Sequence, residues 1–282
     1  MLKMIKAELF KLRKRRMTWV MLAVLAAFFC LMFFATYGIV SSPSGVMPGT
    51  AIETIKSSLQ FPDAFNMIFY TAGTIGTLLL IILVASSIGS EYGWGSIRQV
   101  LTRRGIRYHF VVSKLVSFII AAIIGLVFSV IIGFILSLIT SNLLGSIDWS
   151  FMTASYIGGL FADFGWTLLS LMPYILLAAF FAFLGRSAIA GIGGGLGYYF
   201  IEAIAVGLFN QAGGWLAKIP NYLIGPNVEA LMPSRMFTHG PFASAGTPPS
   251  TLHASITLAV YCVVFFAVSL YLFKKRDITA SE

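Results

Sequence analysis

The chain has 282 residues, of which 58% are apolar and only 10% charged, and its mean hydropathy is +0.90. Soluble domains carry about 25% charged residues, so a soluble enzyme is excluded and an integral membrane protein is implied. The formal charge of +9 is read as a topology signal, with no nucleic acid called for as a partner.

Residues 1–16, MLKMIKAELFKLRKRR, set Leu2, Ile5, Leu9 and Leu12 at helical spacing, with Lys3, Lys6, Lys11, Arg13 and Lys14 over the other side. This pattern predicts an amphipathic helix lying in the membrane interface. The alternative is a disordered basic arm. The charge-free run 17–40 is the first predicted span. It exceeds the roughly 7–15-residue core of a signal peptide and is followed by no small-residue cleavage site, so a retained anchor is expected. Residues 41–64 hold Pro43, Pro48 and Pro62 and are expected to be largely irregular.

Further spans are predicted at 65–89, 113–139, 164–184, 188–209 and 253–273. Each is near the 20 or so apolar residues that cross a bilayer as a helix, and too long for a barrel strand. The fold class is therefore an all-α polytopic membrane protein, a single domain over 1–282. The loop 140–163 carries Asp148 and Trp149, with Trp166 close by, as interfacial anchors. Segment 210–252 is rich in proline. Its apolar pieces, WLAKIPNYLIG and VEALM, are too short to span. They are either short helices dipping into the outer leaflet or a surface loop.

All but Lys56, Lys218 and Arg235 of the 19 Lys and Arg fall on one side of this six-span arrangement. The positive-inside rule then puts both termini in the cytoplasm, with anionic lipid attracted to the same side.

Within the spans, Glu202 is the one clear buried charge, beside Tyr198 and Tyr199. It belongs either to a translocation path or to a structural hydrogen bond. Asp163 is expected at the hydrated outer edge of the fourth span, and Pro173 is expected to kink that helix. GIGGGLG at 191–197 lacks the strand and lysine of a phosphate-binding loop. It instead offers Gly191 with Gly195, and Gly193 with Gly197, as close-packing pairs or as a flexible gating segment. Cys30, Cys262, His109, His239 and His253 show no ligand spacing, so no metal is expected. No nucleophile-base pattern is present, so no catalytic residue is assigned. No G-x-x-x-x-G-K-[ST] occurs, so the chain binds no nucleotide by a P-loop.

The loop 90–112 is the densest stretch. SIRQVLTRR can form a two-turn helix with Ser96 as N-cap and Gly105 as its stop, and with Ile97, Val100 and Leu101 on one face. Glu91 is placed to pair with a basic side chain or to cap a neighbouring helix. An ordinary positive-inside loop is the plainer alternative.

Two stretches carry a resemblance: AELFKLRKRRMTWV at 7–20 and EYGWGSIRQVLTRRGIRYHFVVSKL at 91–115. The whole chain resembles an ABC-2-type transporter permease of the compact six-span kind. Such permeases carry E-x-x-x-G-[TS]-x-[RK]-x-x-L, then basic residues, then a lysine opening the third span. Those positions here are Glu91, Gly95, Ser96, Arg98, Leu101, Arg103, Arg104, Arg107 and Lys114, with Ser96 where threonine is commoner.

The resemblance implies a bacterial plasma-membrane exporter subunit, paired with a second copy or a related permease and with separate ATPase subunits. ATP and magnesium would sit on those ATPases, with no cofactor on this chain. Residues 91–104, with Tyr92 and Ile97 among the contacts, would form the coupling helix. The lead helix, with Lys6, Glu8, Lys11 and Arg13, would also touch the ATPase. A peptide, drug or lipid would be the cargo, with peptide-antibiotic export as the first expectation. An ion- or proton-coupled carrier using Glu202, or a scaffold or sensor subunit, are the competing classes. Both leave Ile97, Arg98 and Leu101 replaceable.

Overall fold

A computed structural model describes residues 1–41, 49–94, 107–145, 149–232 and 249–275. The first helix, α1, spans Leu2–Lys14 and stops where Arg15 turns extended at φ −73°, ψ 126°. The chain re-enters helix at once as α2, Arg16–Ser41. Then come α3, Gly49–Leu59, and α4, Ala64–Gly93. They are followed by α5, Arg107–Leu144, α6, Ala154–Gly185, and α7, Ala188–Ala212. A 3-10 helix, Leu216–Tyr222, leads to the short α8, Ile224–Leu231, and α9, Thr251–Lys275, closes the described chain.

Helices α2, α4, α5, α6, α7 and α9 are long and apolar enough to cross a membrane. The chain is thus a multi-pass, all-helical membrane protein. Their alternating direction gives the bundle two ends. The basic end carries α1, the last turn of α4 and the first turns of α5. The far end carries α3 and the start of α6.

Several expectations need correction. The fourth span begins at Ala154 rather than at 164, so Asp163 lies inside α6, well away from its start. The cause is the apolar run YIGGLFADFGW, whose one acid does not break the helix. The third span runs from Arg107 to Leu144 rather than 113–139 because its polar ends remain helical. Residues 49–59, expected to be irregular, form α3. Leu59 at its end is fully buried, and its carbonyl accepts from Thr140 Oγ1 at 3.3 Å and Ser141 Oγ at 3.2 Å, both on α5. These hydroxyls satisfy an acceptor that a helix end leaves without a partner. Cys30 is exposed on α2.

Helices α4 and α6 form the centre, and α2, α7 and α9 are far more exposed. Small residues set the spacing at the centre. A Cβ on Gly191 would come within 2.7 Å of the Ala85 Cβ and 2.8 Å of the Ala182 Cβ, and one on Gly195 within 2.6 Å of Ile81. Both glycines therefore sit where α7 approaches α4 and α6, while Gly193 and Gly197 face open space. The tightest approach is Gly89 on α4. A Cβ there would lie 2.0 Å from the backbone nitrogen of Ala188. Ser187 caps α7 at this point by accepting from Ala190 N at 3.0 Å, and Arg186 before it takes the left-handed conformation that makes the α6–α7 turn tight. Backbone cannot move aside as a side chain can. Gly89→Ala is expected to cost about 1–3 kcal/mol, as overpacking does. Gly76→Ala, whose Cβ meets nothing, serves as the control. Thermal midpoints of the two purified variants check this, and equal midpoints would refute it.

Candidate functional site

The basic end is built around charges that the fold removes from solvent. On α1, Glu8 falls on the same face as Ile5, Leu9 and Leu12, because helical neighbours lie three and four residues apart. When Leu12 docks into the bundle, Glu8 goes with it, and the two are the buried residues of α1. This revises the amphipathic pattern: Leu2 is exposed, and an acid takes its place on the packed face.

Glu91, on the last turn of α4, and Lys114, two turns into α5, are buried as well, Lys114 at 1% exposure. The Lys114 ammonium lies 3.2 Å from Glu8 Oε2 and 2.7 Å from Glu91 Oε2. Lys11 closes the figure from the rim, 2.7 Å from Glu8 Oε1 and 3.2 Å from Glu91 Oε1. Each carboxylate thus spends one oxygen on each lysine, and the ring is neutral. Neutrality and full pairing are what permit charge in a buried place. Burial works against the Glu8 carboxylate, but Lys114 and Lys11 together hold it below its ordinary range. Burial likewise works against the Lys11 ammonium, and Glu8 and Glu91 hold it above the usual lysine range. The ring of Phe110 lies 5.5 Å below Lys114.

Arg15 adds a second clasp. Its guanidinium bonds Ser90 Oγ, lies 3.5 Å from the Ser86 carbonyl and covers the Trp94 ring at 5.6 Å. A cation at the carboxyl end of a helix is favoured by the helix dipole and the free carbonyls there. The end of α4 is therefore held to α1, to the α1–α2 junction and to α5. Glu91 and Tyr92 belong to this last turn of α4. The remaining coupling residues, Gly95, Ser96, Ile97, Arg98, Leu101, Arg103 and Arg104, lie outside the described residues. Lys6 and Arg13 are exposed on α1, away from the ring.

A second polar cluster sits inside the bundle around Glu202, which is 4% exposed. Tyr174 donates to its Oε2 at 3.2 Å, Tyr198 to Oε1 at 3.4 Å, and the backbone N–H of Gly225 to Oε1 at 2.9 Å. Ile224 N–H also bonds the carboxylate. Helix α8 begins at Ile224, and its N-cap Leu223 offers no side-chain acceptor. Pro226 has no N–H to satisfy. Glu202 thus caps α8 from another helix, with negative charge at the positive end of the dipole. Ala212 ends α7 ten residues beyond Glu202, about 15 Å at 1.5 Å per residue. The chain must return by that depth to bring Gly225 to Glu202, so α8 folds back into the bundle. Ile224, Pro226, Asn227 and Val228 are buried there. Tyr199, beside Tyr198, instead packs its ring 5.5 Å from Tyr174.

Neither cluster has a nucleophile poised beside a base. Among the described residues no group of His, Cys, Asp and Glu could hold a metal ion. Sequence reasoning placed Glu8, Lys11, Glu91 and Glu202 as site residues. It noted Lys114 only as a motif position, and it missed Arg15, Tyr174 and the α8 N–H groups. The lone lysine at the head of an apolar span was the signal for Lys114. The contacts to Glu202 from α8 carry no local signal.

No curated protein matches the chain. A family profile described as "Protein of unknown function (DUF2705)" covers residues 49–279, including Glu91, Lys114 and Glu202 but not Glu8 or Lys11. A match over that much of its length makes the chain a member of the DUF2705 family.

Proposed function

We propose that the chain is the permease subunit of an ATP-driven exporter in a bacterial plasma membrane. It works as a dimer, with a second copy or a related permease, and with separate ATPase subunits that bind ATP and magnesium. The substrate is hydrophobic or amphipathic: a peptide, a drug or a lipid. Both termini face the cytoplasm, α1 lies in the interface, and the segment that follows Glu91 and Tyr92, up to residue 104, is the coupling segment in the ATPase cleft.

One observation carries this reading. The segment 95–106 leaves α4 from the turn that Glu91, Lys11, Lys114 and Arg15 tie to three other parts of the basic end. A surface loop needs no such anchorage, and a buried ion ring costs desolvation, so its presence here fits a part that must move as one rigid body. With it, a push on the loop moves α1, α4 and α5 together. The carrier reading is weaker, because Glu202 is already committed to four donors as a helix cap.

The test is affinity purification of the solubilised full chain from its host, with co-purifying proteins identified and ATP hydrolysis measured. A stoichiometric P-loop ATPase is expected. Arg98→Glu, outside the ion ring, is expected to release it while the chain stays inserted. Absence of an ATPase across several mild detergents would overturn the proposal.

A further inference from the structure

A cavity of about 390 Å³ lies between α1, α2, α4 and α5, with Leu171 of α6 at its back. That is within the roughly 300–1,000 Å³ of small-molecule sites. Its walls are almost wholly apolar, with Leu22, Leu80 and the bare backbones of Gly76 and Gly125 among them. A Cβ on either glycine would meet nothing within 4 Å, so these glycines face empty space on facing helices. Trp19 and Ile124, 60% and 55% exposed, stand at the rim, so the groove opens sideways from the bundle. On a membrane-spanning bundle, that side meets lipid.

Arg13 lines the basic end of the same groove. Its backbone carbonyl accepts from Trp19 Nε1 at 2.9 Å, which fixes the two side by side. Its guanidinium has no acidic partner among the described residues, and its neighbours Lys14 and Arg16 are exposed cations. A long apolar slot with an uncommitted guanidinium at one end matches one kind of molecule in shape and charge. We propose that the groove holds an acyl chain of an anionic phospholipid, with the phosphate headgroup on Arg13. Guanidinium groups suit phosphate oxygens because their donors form a planar fork. The proposal needs only that the chain spans a membrane and does not rest on the permease reading.

Native mass spectrometry of the detergent-solubilised full chain tests it, with palmitoyl-oleoyl phosphatidylglycerol or phosphatidylcholine added at equal concentration. The wild type is expected to retain one phosphatidylglycerol about five-fold more than one phosphatidylcholine, the worth of a single cation beside an anionic headgroup. Arg13→Glu is expected to remove that preference, whereas Lys3→Glu, the same charge change outside the groove, keeps it. Gly125→Leu and Gly76→Leu are expected to lower retention of both lipids. Their side chains enter open space, and unchanged thermal midpoints in detergent verify that the variants fold. Wild-type retention in both glycine variants, or an intact preference in Arg13→Glu, would overturn the proposal. A two-chain species that Gly125→Leu separates, with no retained lipid, would overturn it in favour of a contact between copies.

Discussion

Lys114→Met is expected to destabilise the protein by about 3–5 kcal/mol, the cost of removing one partner from a buried ion pair. The lysine is 1% exposed and touches both Glu8 and Glu91. Without it, two carboxylates remain in one buried space with Lys11 alone between them. That lysine is half exposed and can turn outward. The loss therefore falls on the docking of α1 and on the end of α4 more than on the bundle core. Proteolysis at the Arg15 junction is expected to speed up, and the thermal midpoint to fall. The triple variant Glu8→Leu, Glu91→Leu, Lys114→Met tests the cause. Apolar replacement of a whole buried ion cluster is commonly neutral or stabilising, so this variant is expected to recover most of the loss. A single variant as stable as the parent would show that the ring contributes nothing.

The second large effect is expected at Glu202. Glu202→Ala leaves the hydroxyls of Tyr174 and Tyr198 and the N–H groups of Ile224 and Gly225 without their acceptor. Unsatisfied buried donors cost about 1–3 kcal/mol each, less whatever water can repair. A net loss of about 3 kcal/mol is expected, confined to the folded-back segment. Amide hydrogen exchange is the measurement, and the amides of Ile224 and Gly225 are expected to lose protection first. Glu202→Gln keeps one carbonyl for Gly225 and is expected to lie between the two. Unchanged exchange across 216–231 in the alanine variant would mean that the carboxylate does not hold α8.

The spans were legible because bilayer thickness imposes length and apolarity directly on sequence. Their ends were not. Apolarity falls off at the membrane surface while the helix continues, as at Arg107–Val112, and a single acid such as Asp163 does not break an apolar helix. Segment 49–59 was hidden by prolines on either side, which bound α3 without entering it. Of the site, Glu91 was placed as an acid awaiting a cation, and the structure supplies two. Glu8 stands on the apolar face of α1, a conflict visible in the heptad spacing of Ile5, Leu9 and Leu12 and resolved by Lys11 beside it together with Lys114, 106 residues away. The role of Glu202 could not be read from its neighbours in sequence. Two of its donors are main-chain groups, which every residue possesses.

The separation of Glu8 from Lys114 also sets an order of events during synthesis. At about 5–20 residues per second, the lysine is made on the order of 5–20 s after the glutamate. Throughout that interval α1 has no place to bury its acid, so it waits at the membrane surface while α2, α3 and α4 are inserted. Only the arrival of α5 can draw it in. Helix α1 is thus made before the helices it packs against and is among the last to reach its final position, and a chain interrupted before residue 114 carries it undocked.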